Sequence, residues 1–212
     1  MKQLLLAFAI ITTASLHAQS RYYNDNMKEY TALYDSSKTA AEYQQLSISF
    51  LKIAGAEKTQ WLPYYYAALT LLNRGWLDGA VNKDSNSAAV NLLLDKAESL
   101  TASTIDKAEI YVLREVAATQ QMMVDPMARY QTFGPKAAAA LEKAKELDSS
   151  NQRIYYLEGM RLFSTPAQFG GGKDKAKPVF QRSVTLFSTK EDQPFHPKWG
   201  KKEAADMLAK CM

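Results

Sequence analysis

The chain has 212 residues, of which 47% are apolar and 23% are charged, and its formal net charge is +4. This length is enough for one buried core or one short array of repeats, and the charged fraction is too small for a disordered chain. One cysteine and two histidines exclude a disulfide framework, a Cys-x-x-Cys redox pair and metal sites built from several thiolates or imidazoles.

The first residues have the layout of a secretory signal peptide. Lys2 precedes an apolar run at residues 4–11, and a small and polar stretch ends at Ala18. The run is far shorter than the ~20 residues of a membrane-spanning helix. We expect cleavage after Ala18 and a periplasmic or otherwise exported mature chain, residues 19–212, without a lipid anchor because no cysteine lies nearby. The alternative is the N-terminal helix of a cytosolic protein.

The charge of the mature chain gives no reason to expect a nucleic-acid partner. Loss of Lys2 leaves 25 basic and 22 acidic residues, a net charge of +3. Binding of nucleic acid favours Lys and Arg clustered on one face, and no run of basic residues forms such a stripe.

Beyond residue 20, apolar residues recur every three or four positions, as in Tyr43, Leu46, Phe50 and Ile53, and the alternation typical of strands is absent. The sequence therefore predicts an all-α protein with eight or nine helices. They are expected near residues 22–36, 39–55, 62–78, 87–101, 104–123, 136–147, 152–164, 174–188 and 199–210.

Short breaks with helix punctuation separate these segments. Pro63 stands where a helix can begin, and Ser103 to Asp106 can cap the helix that follows. Asp125-Pro126 and Gly134-Pro135 each predict the end of one helix and the start of another.

Three of the predicted helices space their apolar and small residues in the same steps of four, three and three. The sets are Val90, Leu94, Ala97 and Leu100; Ala137, Leu141, Ala144 and Leu147; and Ala176, Phe180, Ser183 and Leu186. Each of these helices follows one with tyrosine near its start, at Tyr65, Tyr111 and Tyr155. The pattern predicts three copies of one helix pair that stack to share a core, in preference to a plain helical bundle.

Residues 141–159 resemble the end of one tetratricopeptide repeat and the opening of the next. Tyr155 stands in the first aromatic position of that family and Gly159 in its small position. The resemblance is degenerate elsewhere, because the two earlier pairs lack the glycine and the connections inside pairs are longer than the family's short turn. It implies a single α-solenoid of stacked helix-turn-helix pairs, a right-handed superhelix, over residues 19–212.

The mature chain is also similar to a group of exported tetratricopeptide-like proteins of Bacteroidetes-type bacteria. The segments that carry this similarity are residues 61–65, 151–156, 166–172 and 199–200. It implies a binding or scaffold fold without an assigned activity.

An aromatic cluster, Trp61 with Tyr64, Tyr65 and Tyr66, spans more than one helical face. Trp61, Tyr65 and Leu69 form a stripe that is sufficient for core packing, so Tyr64 or Tyr66 is left for another helix pair, solvent or a ligand. Aromatic side chains with a polar tip suit a binding groove because they give large contact area at low entropic cost. Packing between repeats is the competing interpretation.

Three adjacent glycines, Gly170, Gly171 and Gly172, precede a predicted helix. Their backbone N–H groups are candidates for holding an anion at the helix start. The phosphate-loop pattern is missing, because no strand precedes and no Ser or Thr follows Lys173. The competing interpretation is a tight turn with Phe169 in the core.

These observations favour a non-catalytic module that binds a protein or peptide in its groove. The alternative is a small-molecule-binding component of a periplasmic transport system, with an enclosed pocket lined by Tyr64, Tyr66, Arg114 or the glycine loop. The candidate binding residues are Trp61, Tyr64, Tyr66, Arg114, Gly170, Gly171 and Gly172. We expect no catalytic residue, metal ligand, cofactor or membrane span, and an enzyme that uses His196 is a remote third hypothesis because no nucleophile signature accompanies it.

Overall fold

A computed structural model describes residues 20–212, so the predicted signal peptide lies outside the described residues. Within this range the chain forms helices and no strand. The α-helices in chain order are α1 (Arg21–Ser36), α2 (Ala40–Ala56), α3 (Leu62–Leu77), α4 (Lys83–Ser99), α5 (Thr104–Met122), α6 (Pro126–Leu147), α7 (Gln152–Ser164), α8 (Lys173–Thr189) and α9 (Lys201–Ala209). A short 3₁₀ helix, Ala167–Phe169, lies between α7 and α8.

Consecutive helices pack against each other, so the described part of the chain is an all-α, solenoid-like array. The odd-numbered helices also touch one another: Asn73 on α3 donates a hydrogen bond to Tyr34 on α1, and Asn151 at the start of α7 donates to Glu109 on α5. The array therefore has a layer of odd-numbered helices, against which the even-numbered helices pack.

The three sets of matched residues behave alike in the structure. In each set the first three side chains are buried and the fourth is partly exposed. The small residue of the third set, Ser183, is fully buried, and its hydroxyl donates to the carbonyl oxygen of Gln152 at 2.8 Å. The four-three-three spacing thus predicted correctly which face of α4, α6 and α8 is buried.

Several predicted helix starts are confirmed by capping contacts. The Ser103 side chain accepts from the backbone N–H of Asp106, and the Asp125 side chain accepts from that of Ala128 with Pro126 in the first turn. The fourth helix begins earlier than predicted, because the Asn82 side chain accepts from two backbone N–H groups ahead of residue 87.

The prediction of a break at Gly134-Pro135 is wrong. Helix α6 runs without interruption from Pro126 to Leu147, with Pro135 inside it. An internal proline costs about 3 kcal/mol locally, but the longer helix packs along α5, and Arg129 bonds to Asp84 and to the Gln121 carbonyl. Tertiary contacts therefore outweigh the local signal, and the connection between α5 and α6 is shorter than the sequence implied.

Trp76 is a second departure from the sequence prediction. The spacing of Trp61, Tyr65, Leu69, Leu72 and Trp76 predicts one buried stripe along α3; Leu72 is fully buried as predicted, whereas Trp76 is 49% exposed. Across residues 20–212, none of the helices has the length and apolar character needed to cross a membrane.

Candidate functional site

The candidate site is organised by an irregular stretch between α8 and α9, which we call the crossing segment (residues 190–200). It runs over the layer of odd-numbered helices. Phe195 packs edge-on against Tyr23 of α1, with ring centroids 5.8 Å apart, and Trp199 donates from Nε1 to the Tyr65 hydroxyl of α3 at 3.0 Å. The segment therefore joins helices that are far apart in sequence.

A buried polar network holds the crossing segment in place. Arg153 on α7 is 1% exposed, forms an ion pair with Glu109 at 2.8 Å, and donates to the Pro197 carbonyl of the segment. Its guanidinium lies over the Trp199 ring, 5.0 Å from the centroid. Additional hydrogen bonds offset the cost of burying an ion pair, and Asn151 donates to the same Glu109 oxygen.

Two open clefts flank the crossing segment. The first, which we call the α1 cleft, has a volume of about 420 Å³ and lies between α1, Tyr66 and the segment. Its lining residues are Lys28, Thr31, Ala32, Asp35, Tyr66, Asp192, Gln193, Pro194, Phe195, His196 and Lys198. It combines aromatic rings with charged groups of both signs.

The second, which we call the α7 cleft, has a volume of about 330 Å³ and lies where α5, α7 and α9 begin. Its lining residues are Ile105, Glu109, Gln152, Arg153, Phe187, Ser188, Lys190, Glu191, Asp192, Gln193, His196, Pro197, Lys198 and Lys201. His196, Asp192, Gln193 and Lys198 line both clefts, so the two are neighbours across the segment.

His196 packs against Trp61, with ring centroids 5.7 Å apart and an edge-on geometry. Burial lowers the pKa of His196 below 6.5, and the nearby carboxylates of Asp106 and Glu109 oppose this. The imidazole is therefore largely neutral at neutral pH.

The surroundings of His196 do not form a nucleophile–base pair. The Thr101 hydroxyl donates to Asp106 at 2.9 Å, whereas the His196 Nε2 atom lies 4.0 Å from the other oxygen of that carboxylate. The hydroxyl thus contacts the acid and not the imidazole that would have to activate it. Among the described residues, no group of three or more His, Cys, Asp and Glu side chains is arranged to hold a metal ion.

The predicted aromatic residues fall in different environments. Trp61 is buried beside His196, and Tyr66 is buried, stacks on Phe50 with centroids 4.9 Å apart, and lines the α1 cleft. Tyr64 is partly exposed, and its hydroxyl donates to the Ala54 carbonyl. Of the predicted binding residues, Trp61 and Tyr66 are the ones brought next to the clefts.

Arg114 lies elsewhere, between α4 and α5. It forms ion pairs with Asp95 at 2.8 Å and Glu98 at 2.9 Å, and its guanidinium lies over the Tyr111 ring. Its charge is already neutralised by groups of the protein.

The glycine loop forms the turn between α7 and α8. Gly170 and Gly172 have positive φ values of 86° and 103°, and all three glycine N–H groups donate to carbonyls of residues 162–167. The loop lies at the end of α7, roughly 20 Å of helix away from the α7 cleft at its start. The prediction that Phe169 fills the core there is wrong, because Phe169 is 74% exposed.

None of the binding residues predicted from the sequence lies in the crossing segment. Phe195 lies between Pro194 and Pro197, outside any helical periodicity, and Trp199 is the first residue of the last predicted helix. Large apolar side chains are more often buried than exposed, so aromatic residues in or next to an irregular stretch favour packing on distant parts of the chain. That signal points to a segment packed on the helices, although not to the helices that receive it.

Fold and site together define an all-α, solenoid-like protein with open clefts on either side of a segment that crosses its odd-numbered helices. No protein-family model and no curated protein matches the chain. The structure is similar to that of the HusA haemophore from Porphyromonas gingivalis, with a TM-score of 0.81 and 33% sequence identity over 92% of this chain and 94% of that one. The chain therefore belongs to the family of the HusA haemophore.

Proposed function

We propose that this protein is an exported, non-catalytic binding protein whose ligand is a small molecule, haem or a related porphyrin. The observation that carries this proposal is the 33% identity, over nearly the whole of both chains, to a protein named as a haemophore. The predicted signal peptide at residues 1–18 agrees with export.

The clefts beside the crossing segment have the chemistry that such a ligand needs. A porphyrin is a flat apolar ring with carboxylate side chains, so it requires aromatic or aliphatic surface next to cationic groups. Tyr66 and Phe195 supply that surface in the α1 cleft, and Ile105 and Phe187 supply it in the α7 cleft. Lys28 in the α1 cleft and Lys201 in the α7 cleft, for which no carboxylate of the described residues lies within ion-pair distance, are cationic partners for a carboxylate.

The family relationship supports the small-molecule alternative better than the protein or peptide partner that the sequence favoured. An enclosed pocket is expected of a small-molecule carrier and an open groove of a scaffold, and both clefts are open. Relatedness to a haemophore carries more weight here, because open clefts are compatible with reversible loading of a flat ligand.

A protein or peptide partner remains a second candidate function, with a tetratricopeptide-like superhelix as its framework. The supporting observation is a set of exposed apolar side chains near the ends of α3 and α5 and the start of α6. These residues are Trp76, Leu77, Met123, Val124, Met127 and Tyr130, of which Met127 is 93% exposed. Contiguous exposed apolar patches mark interaction surfaces, and these residues lie at neighbouring helix ends.

Absorbance titration with haemin tests the proposed function. We expect saturable binding to the purified chain of residues 19–212, and a loss of about tenfold in affinity for Phe195→Ala, which removes an aromatic wall of the α1 cleft. Trp76→Ala is the matched control, since Trp76 lies outside both clefts, and circular dichroism verifies that both variants fold. Absence of saturable haemin binding would refute the proposed function, and a loss confined to Trp76→Ala would place the site elsewhere.

A further inference from the structure

We propose that the α7 cleft contains a carboxylate subsite, built around Gln152 and Arg153, that takes an acidic side chain of the small-molecule ligand. This inference rests on the proposed function and specifies which chemical group of the ligand is recognised, and where.

The first observation is a pair of buried polar atoms without partners in the wall of the cleft. Gln152 is 4% exposed and its Oε1 atom has no hydrogen-bond partner among the described residues; Arg153 is 1% exposed and its Nε atom has none either. Both residues line the α7 cleft. A buried polar atom without a partner costs about 1–3 kcal/mol, so two on adjacent residues that line a cleft favour a polar ligand or water at that position.

Nε is the guanidinium nitrogen of Arg153 that makes no hydrogen bond to the described residues. One terminal nitrogen donates to Glu109 and the other to the Pro197 carbonyl. The Nε–H group is therefore held in position by two bonds of the protein itself, and it is suited to donate to a single oxygen atom. The terminal amide of Gln152 can rotate to present its NH₂ group to the second oxygen.

The electrostatics of the cleft favour an anion. Gln152 and Arg153 are the first two residues of α7, and Ile105 lies in the first turn of α5, so the positive ends of two helices point towards the cleft. Lys201 adds a cation at the start of α9 and has no carboxylate within ion-pair distance among the described residues.

The charge balance favours a carboxylate over a phosphate group. Of the four cationic side chains that line the cleft, Arg153, Lys198 and Lys190 are paired with Glu109, Asp192 and Asp148, so Lys201 is the cation whose charge no carboxylate of the described residues neutralises. A monoanion matches this balance, whereas a dianion leaves an uncompensated charge. Phe187 and Ile105 beside these groups provide apolar surface for the part of the ligand next to its carboxylate.

The discriminating experiment compares protoporphyrin IX with its dimethyl ester, which keeps the ring and removes both carboxylates. We expect the free acid to bind at least about tenfold more tightly, which is the effect of one charge-assisted hydrogen bond. Lys201→Gln is expected to weaken binding of the free acid about threefold to tenfold and to leave the ester unaffected. Lys136→Gln, on α6 beside Phe133 and outside both clefts, is the matched control and is expected to change neither.

The possible results separate the two proposals. Equal affinity for acid and ester, or an equal effect of Lys201→Gln on both, would overturn the carboxylate subsite and leave the proposed function standing. Failure of both porphyrins to bind would overturn the proposed function itself.

A second measurement reports on the subsite without any porphyrin. Addition of sodium propionate, with sodium chloride as the control, is expected to shift the side-chain NMR signals of Arg153 Nε–H and the Gln152 amide. Shifts confined to residues outside the α7 cleft would contradict the assignment of the subsite.

Discussion

At the scale of single residues, Glu115 on α5 has an unusual environment. It is 7% exposed, one carboxylate oxygen accepts from the Thr119 hydroxyl at 2.9 Å, and the other has no hydrogen-bond partner among the described residues. Burial raises its pKa from 4.5 to about 7, and the Thr119 bond and the charge of Arg161 oppose the shift only in part. Stability of the fold is therefore coupled to the protonation of this group.

Replacement of Glu115 by glutamine tests this coupling. Between pH 4.5 and about 7 the folded chain holds a proton that the unfolded chain has lost, so the contribution of Glu115 to stability is complete below pH 4.5 and is lost as the pH rises to about 7. At pH 8 we expect Glu115→Gln to be more stable than the natural chain by roughly 2–3 kcal/mol, from the size of the pKa shift.

Urea unfolding at pH 5 and pH 8 measures the effect. Glu142→Gln, at an exposed position on α6, is the control and is expected to follow the pH dependence of the natural chain. An equal change in the free energy of unfolding between pH 5 and pH 8 for Glu115→Gln and the natural chain would contradict the prediction.

At the scale of helices, α7 and α8 approach each other at Gly159. A Cβ atom placed on Gly159 would lie 2.6 Å from the Phe180 ring, and Phe180 is fully buried. The absence of a side chain at Gly159 is therefore what allows the two helices to pack at this distance.

Substitution of Gly159 by alanine is expected to lower the free energy of unfolding by about 1–3 kcal/mol, because Phe180 or the whole of α8 has to move. The matched control is Gly55→Ala in α2, where no atom lies within 4 Å of the added Cβ. There the gain in helix propensity has no steric cost, so we expect a neutral to slightly stabilising effect of up to about 1 kcal/mol. Denaturant titrations followed by circular dichroism measure the free energy of unfolding of both variants. Equal changes in the two would show that the contact with Phe180 does not destabilise Gly159→Ala.

The helices and their buried faces were largely predictable from the sequence, because periodicity depends on neighbours three and four positions away. Val90, Leu94 and Ala97 were assigned to a buried face on that basis, and all three are fully buried. The continuity of α6 through Pro135 was not predictable in this way, since it depends on packing along α5 and not on local propensity.

The candidate site was predictable only in part. Trp61 and Tyr66 lie next to the candidate clefts, whereas Arg114 lies between α4 and α5 in two ion pairs that no pattern along the chain specifies. The Arg153–Glu109 pair joins residues 44 positions apart, and no pattern along the chain specifies such a pairing.

At the scale of the whole molecule, the crossing segment connects parts of the array that stacking alone leaves separate. Trp199 bonds to Tyr65 of α3, 134 residues earlier, and lies under the guanidinium of Arg153 from α7. In an open solenoid each repeat touches only its neighbours. The crossing segment adds contacts between residues that are far apart in the sequence.

Replacement of Trp199 by alanine tests how much these contacts contribute. We expect a loss of about 3–5 kcal/mol in the free energy of unfolding, because the substitution removes the ring against Arg153 and the bond to Tyr65 together. Trp76→Ala, at a position that is 49% exposed, is expected to change stability by no more than about 0.5 kcal/mol. Thermal unfolding of both variants provides the measurement, and similar losses for the two would contradict a central role for the crossing segment.

The position of the crossing segment also determines when folding can finish. A ribosome makes the chain from its first residue, yet Tyr23 receives its partner Phe195 only after almost all of the chain has been made. Until then the part of the odd-numbered helices that the crossing segment covers stays exposed, and exposed apolar surface promotes aggregation. Chains that end before residue 195 should therefore depend on chaperones far more than the complete protein.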